Sequence, residues 1–145
     1  FPSTLSTLRD YWQRFKSSTT DVIFAINELE GHQHIGNVTL NRIDWIHRTG
    51  DTGLMIGRRD FWGQGFAFEA WSLLTEYAFD RLGLRKLMAG VAKENIGIVK
   101  VLEKLGFKIE GTSRSTVLVD GVYSDGLYMG LFREEFYKFT TGTEL

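Results

Sequence analysis

The stretch that decides the fold is MIGRRDFWGQGFAFEAW, residues 55–71. A short apolar run stops at Gly57, glycines stand at 63 and 65, and a run with helical character follows. Strand, glycine loop and helix, in that order, make the context of a phosphate site. A helix N-terminus leaves backbone N–H groups unpaired and carries partial positive charge, so an anion fits there. The same glycines also suit a plain tight turn, and a bare Gly-x-Gly does not separate the two readings. Two stricter phosphate motifs are absent: the dinucleotide fingerprint needs a third glycine where this chain has Phe68, and no Gly-Lys-Ser/Thr occurs.

Downstream of the loop, Ala67, Ala70, Trp71, Leu74, Tyr77, Ala78 and Leu82 share one stripe of a helix, and Gly83 is placed to end it. Upstream, DVIFAINELE, HIGNVTLNRIDWI and GDTGLMIG read as three strands joined by short turns, the second turn around Thr49, Gly50 and Asp51. Before them, Leu5, Leu8, Tyr11 or Trp12, and Phe15 recur at helical spacing. After Gly83, LRKLMAGVA reads as a buried strand, and NIGIVKVLEKLG as an amphipathic helix with Asn95 as N-cap and Gly106 just past its end. The chain closes as a hairpin around Asp120 and Gly121. The expected fold is a single α/β (α+β) domain: a mixed, mostly antiparallel sheet flanked by helices, with a central β-α-β crossover.

With 145 residues the chain is long enough for one real core, and 43% hydrophobic with 24% charged residues fits a globular domain. A net charge of −1 provides no basic footprint for nucleic acid. No apolar run approaches membrane-spanning length. There is no cysteine, which removes disulfides, thiolate metal sites and a cysteine nucleophile. His32 and His34 alternate and so share a strand face, but no third ligand is evident; they and His47 are read as surface residues, and no metal is expected.

The succession LMIG, FWGQGFAFEA, YAFDRLGLRKLMAGV and ENIGIVKVLEKLGFKIEG resembles the GNAT superfamily of N-acetyltransferases. The resemblance runs from about residue 20 to residue 133 and is closest to the ribosomal-protein N-terminal, spermidine and amino-sugar acetyltransferase branch. The family's opening strand and helix are expected to be trimmed or incomplete in this chain, which begins FPSTLS.

This resemblance implies that the loop holds the pyrophosphate of acetyl-CoA. The family's Gln/Arg-x-x-Gly-x-Gly/Ala pattern falls on Trp62, Gly65 and Ala67, so Trp62 departs from the usual Gln or Arg, as is common in this branch. It implies pyrophosphate contacts from Gly63, Gln64, Gly65, Phe66 and Ala67. The pantetheine arm would pair with the backbone of Met55, Ile56 and Gly57, and Asn95 would touch the arm as well as capping its helix. Lys100 and Lys104 read as a solvated helix face. Transfer to a primary amine would be direct, with a backbone N–H of residues 54–57 stabilising the oxyanion.

An alkyl amine is mostly protonated at neutral pH, so a base or water relay must take its proton; Asp44 is the first side-chain candidate and Glu28 the second. Relatives carry a serine or a tyrosine acid where this chain has Ile98 and Leu102. Water or Tyr128 would then protonate the departing sulfur. The implied acceptor is a small-molecule amine or a protein N-terminus. The implied location is cytoplasmic, with a homodimer among the expected assemblies. The alternative is a non-catalytic acyl-CoA-binding or regulatory module of the same fold.

Overall fold

The computed structural model describes residues 4–141. Helix α1 (Leu5–Lys16) is followed by strands β1 (Val22–Asn27), β2 (His34–Asp44) and β3 (Thr49–Ile56). A 3₁₀ turn (Arg59–Phe61) leads into α2 (Phe66–Glu76), which widens into a π turn over Tyr77–Arg81. Then come β4 (Lys86–Ala92), α3 (Ile96–Leu105), β5 (Lys108–Val119), β6 (Val122–Phe132) and α4 (Arg133–Thr141). The sheet order is β1-β2-β3-β4-β6-β5. Every pairing is antiparallel except β3 with β4, which the crossover through α2 makes parallel.

Local chemistry explains the boundaries. Asn95 caps α3 by accepting the Ile98 N–H, and Gly106, at φ 97°, takes the left-handed conformation that ends it. Asp120 and Gly121 both have positive φ, as a tight two-residue hairpin turn requires. The turn between β2 and β3 lies at residues 45–48, earlier than the expected Thr49–Asp51 position, and β3 already begins at Thr49. Asp44 causes this: its carboxylate accepts the N–H groups of Ile46 and His47 and so closes the turn at the end of β2.

The core lies on one face of the sheet. Leu87, Ala89, Leu127, Met129 and Leu131 from β4 and β6 meet Trp71, Leu74 and Ala78 of α2, Leu102 and Leu105 of α3, and Phe136 of α4. Alternation along β4 and β6 sends Met88, Gly90 and Tyr128 to the opposite face. The π turn frees the Phe79 carbonyl, which accepts from Arg133 Nη1 while Nη2 reaches Asp80 at 2.9 Å. That clamp ties α4 to the end of α2. Helix α1 forms as its spacing predicts, yet none of its residues is buried, and Leu5, Leu8, Tyr11 and Trp12 are exposed.

Candidate functional site

Strands β3 and β4 pair only from Thr49 with Lys86 to Asp51 with Met88, and then part. Three backbone hydrogen bonds fix which groups face the resulting gap. The Lys86 N–H reaches the Arg48 carbonyl, so even-numbered residues of β3 and β4 face each other. The Gly57 N–H donates to Ile35, so odd residues of β3 face β2; the Lys93 N–H donates to Asp125, so odd residues of β4 face β6. Leu54 and Ile56 on one side and Gly90 on the other therefore present their main-chain groups to the gap, whereas the Ala92 carbonyl is taken by the Asn95 N–H. Thr52 forms its floor: the buried hydroxyl donates to the Met88 carbonyl at 3.0 Å.

This register corrects the expected pantetheine contacts. Ile56 directs its backbone groups at the gap, but Met55 and Gly57 direct theirs at β2, where Met55 pairs with Asn37. The main-chain groups that face the gap at this level are those of Leu54, Ile56 and Gly90. The approach of β2 is tight here, since a Cβ at Gly36 would stand 2.1 Å from the Met55 carbonyl oxygen, so only glycine fits.

The mouth of the gap lies at the carboxyl ends of two parallel strands, the place where α/β sheets bind ligands. The loop of residues 57–65 leaves β3 there and enters α2. Gly63 and Gly65 have φ of 72° and 91°, and Gly65 is the N-cap without any side chain to cap the helix. The N–H groups at the start of α2, from Phe66 and Ala67 onward, thus have no side-chain cap and can receive an anion. Gln64 is tied back, its amide donating to the Asp60 carbonyl at 2.6 Å. Asp60 is paired with Arg58, which holds the Asp60 carboxyl below its ordinary range. Trp62 donates from its indole Nε1 to the Ile56 carbonyl at 2.9 Å. Across the mouth, Asn95 begins α3, its N–H bonded to the Ala92 carbonyl. Lys104 lies 4.2 Å from the centre of the Phe68 ring in the first turn of α2, so it does not simply face solvent.

Asp44 is not at this site. Thr39 lies opposite Gly53, where the gap opens, and Asp44 is five residues further along β2, ~17 Å away. Its carboxylate is occupied by the turn and by the His47 imidazole at 2.8 Å. The His47 N–H, and then its ring, hold the Asp44 carboxyl below its usual value. Glu28 likewise caps its own loop, accepting from Glu30 and Gly31. Tyr128 fares better. It stands opposite Gly90, exposed on the face away from the core, with its hydroxyl 3.1 Å from Ser113 Oγ. Leu102 is fully buried in the core. His34 bonds its ring nitrogen to the Gly36 carbonyl and to Asn37, within its own strand.

A cavity of about 930 Å³ lies elsewhere, between β1 and α2, walled by Phe24, Ile26, Leu73 and Tyr77. It meets the loop at Gln64 and Phe66 but includes neither Leu54 nor Gly90.

The sequence profile of the acetyltransferase (GNAT) domain matches residues 1–108. The chain belongs to the GNAT acetyltransferase family. A spermidine N(1)-acetyltransferase of Escherichia coli (strain K12) is 32% identical over 129 residues, covering 89% of this chain and 68% of that protein. A probable N-acetyltransferase of Bacillus subtilis (strain 168) is 44% identical, and an uncharacterised N-acetyltransferase of Bacillus licheniformis is 34% identical. This GNAT chain covers 35% and 63% of their respective lengths, and they cover 43% and 78% of it. The crystal structure of the Vibrio cholerae spermidine N-acetyltransferase in complex with CoA and spermine superposes with a TM-score of 0.85 at 25% identity, covering 94% of this chain and 79% of that one.

Proposed function

We propose that the protein is an acetyl-CoA-dependent N-acetyltransferase that passes an acetyl group directly to a primary amine. The observation that carries this reading is the parting of β3 and β4 above Thr52, with an uncapped helix start at the open end. The donor set fits coenzyme A: main-chain N–H and C=O groups for the amides of its arm, and helix N–H groups for its pyrophosphate. When bound, acetyl-CoA supplies the acyl thioester, and free coenzyme A leaves as its thiol.

The chain's own groups then have defined tasks. Residues 63–67 hold the anion, with Gly65 allowing close approach. Leu54 and Ile56, with Gly90 opposite, align the arm as a strand would be aligned. The Leu54 N–H, deepest in the gap, is the oxyanion donor for the acyl oxygen. The Asn95 side chain borders the arm. With Asp44 and Glu28 committed to turns, water takes the amine proton, and Tyr128, opposite Gly90, is the side chain we assign to return one to sulfur. This chemistry needs an oxyanion donor and a proton acceptor, and calls for no metal ion.

A polyamine is the acceptor class that the spermidine acetyltransferase relatives support. Protein N-termini and amino sugars are the other acceptors in the reading. Self-association is part of the proposal, supported by a neighbour described as a dodecameric spermidine N-acetyltransferase. No helix among the described residues is long and apolar enough to cross a membrane, and we place the protein in the cytoplasm.

The test pairs two substitutions at one glycine. Aspartate and asparagine at position 65 suffer the same strain at positive φ and differ in charge. CoA should raise the melting temperature of wild-type protein and of Gly65→Asn, and do so far less for Gly65→Asp. Equal shifts in the two variants would remove the loop as the phosphate site. An amine panel scored by release of free CoA follows; binding without turnover on any amine leaves the non-catalytic module as the correct reading.

A further inference from the structure

We infer that Trp62 holds the place of the cofactor's arm on β3 in the free protein and tunes the affinity for that arm. The inference rests on the coenzyme A reading above. Leu54 and Ile56 are the β3 residues whose carbonyls face the gap beyond its floor, and Ile56 is the one nearer the mouth. In the free chain its carbonyl is not bare, because the Trp62 indole N–H donates to it at 2.9 Å. An arm aligned along β3 as a strand would be aligned needs that same carbonyl for one of its amide N–H groups. Two donors then compete for one acceptor position.

Trp62 is built to leave. The Arg59 guanidinium lies 5.6 Å from its ring centre, and the residue is 58% exposed. It is followed directly by Gly63 at φ 72°, and a Cβ there would meet open space, so the backbone beside it is unobstructed. The ring can rotate outward without opening the core. Until the arm arrives, the indole satisfies an acceptor that would otherwise face the open gap. The departure from Gln or Arg at this position thus acquires a role: the residue competes with the ligand instead of adding a contact to it.

The experiment compares wild type with Trp62→Phe, which keeps an aromatic ring and deletes the N–H. Binding of CoA and of 3′-phosphoadenosine 5′-diphosphate, which lacks the arm, is measured by calorimetry, with tryptophan emission recorded alongside. CoA should bind the variant between about two- and tenfold more tightly, the range set by one neutral hydrogen bond. The armless nucleotide should bind both proteins equally. Wild-type emission should shift with CoA, and the shift should be missing in the variant. Weaker CoA binding by the variant would show that the indole stays as a wall of the site and overturn the inference. Unchanged CoA affinity with an unchanged emission response would overturn it too. Failure of both proteins to bind CoA or the nucleotide would instead overturn the coenzyme A reading, and this one with it.

Discussion

At the scale of single residues, Asp44 and Tyr128 show how placement outranks chemical type. A carboxylate is the better general base on paper, but Asp44 spends its lone pairs on two turn amides and an imidazole at the far end of β2. Tyr128 has little to mark it in the sequence, yet register sets it beside Gly90 at the level where the gap opens. Its hydroxyl accepts from Ser113 Oγ, which leaves the phenolic proton free to donate. A thiolate near pKa 8.5 is still a tolerable leaving group at neutral pH, so water can serve. Tyr128→Phe should therefore lose less than about tenfold in turnover, under ~1.4 kcal/mol of barrier. A hundredfold loss with CoA affinity intact would make Tyr128 the required proton donor. Steady-state kinetics on the best amine of the panel decides between them.

At the scale of elements, the length of the gap is set by Thr52. A hydroxyl on a buried strand position must find a partner, and this one finds the Met88 carbonyl on the neighbouring strand. Thr52→Val preserves shape and deletes that bond. It should cost about 1 kcal/mol of stability and weaken CoA binding, while Thr52→Ser retains both. Denaturation and CoA titration of the two variants check this. If valine binds CoA as threonine does, the floor does not depend on the hydroxyl.

The element level is also where the sequence proved most readable. The six strands, the crossover and the caps at Asn95 and Gly106 follow from alternation, helical spacing and glycine chemistry, all of them local signals. The gap-facing residues do not. Whether Met55 or Leu54 points into the gap depends on which neighbour each odd or even residue addresses, and a strand's own sequence is silent on that. The turn at 45–48 was hidden for a related reason: its closing group is an aspartate side chain, not a glycine. Trp62 was visible as a departure from the family pattern, but its bond to Ile56 required the loop to be folded.

At the scale of the whole molecule, the two ends of the α2 crossover do opposite jobs. The first turn is left open for a ligand, whereas the π turn at the other end is clamped by Arg133. Tyr137 on α4 belongs to that clamp. Burial, and then the neighbouring Asp80 carboxylate, push its pKa from 10.0 up to about 12. The folded protein thus holds this proton more tightly than the unfolded chain does. Stability from Tyr137 is complete below pH 10 and is lost as pH rises through about 12. Urea denaturation across that window should show a fall in wild type that is smaller in Tyr137→Phe. Identical slopes would mean that the phenol is not linked to folding.

The parity that defines the gap has a consequence for how fast the molecule trades hydrogens with solvent. Beyond its floor, β3 is a strand of two speeds. The amides of Gly53, Met55 and Gly57 are locked against β2, while those of Leu54 and Ile56 look into an unzipped seam. In deuterated buffer the free protein should retain every second label along this strand. A ligand lying in the seam becomes, for those amides, the missing neighbour, and the alternating pattern should fade into uniform protection.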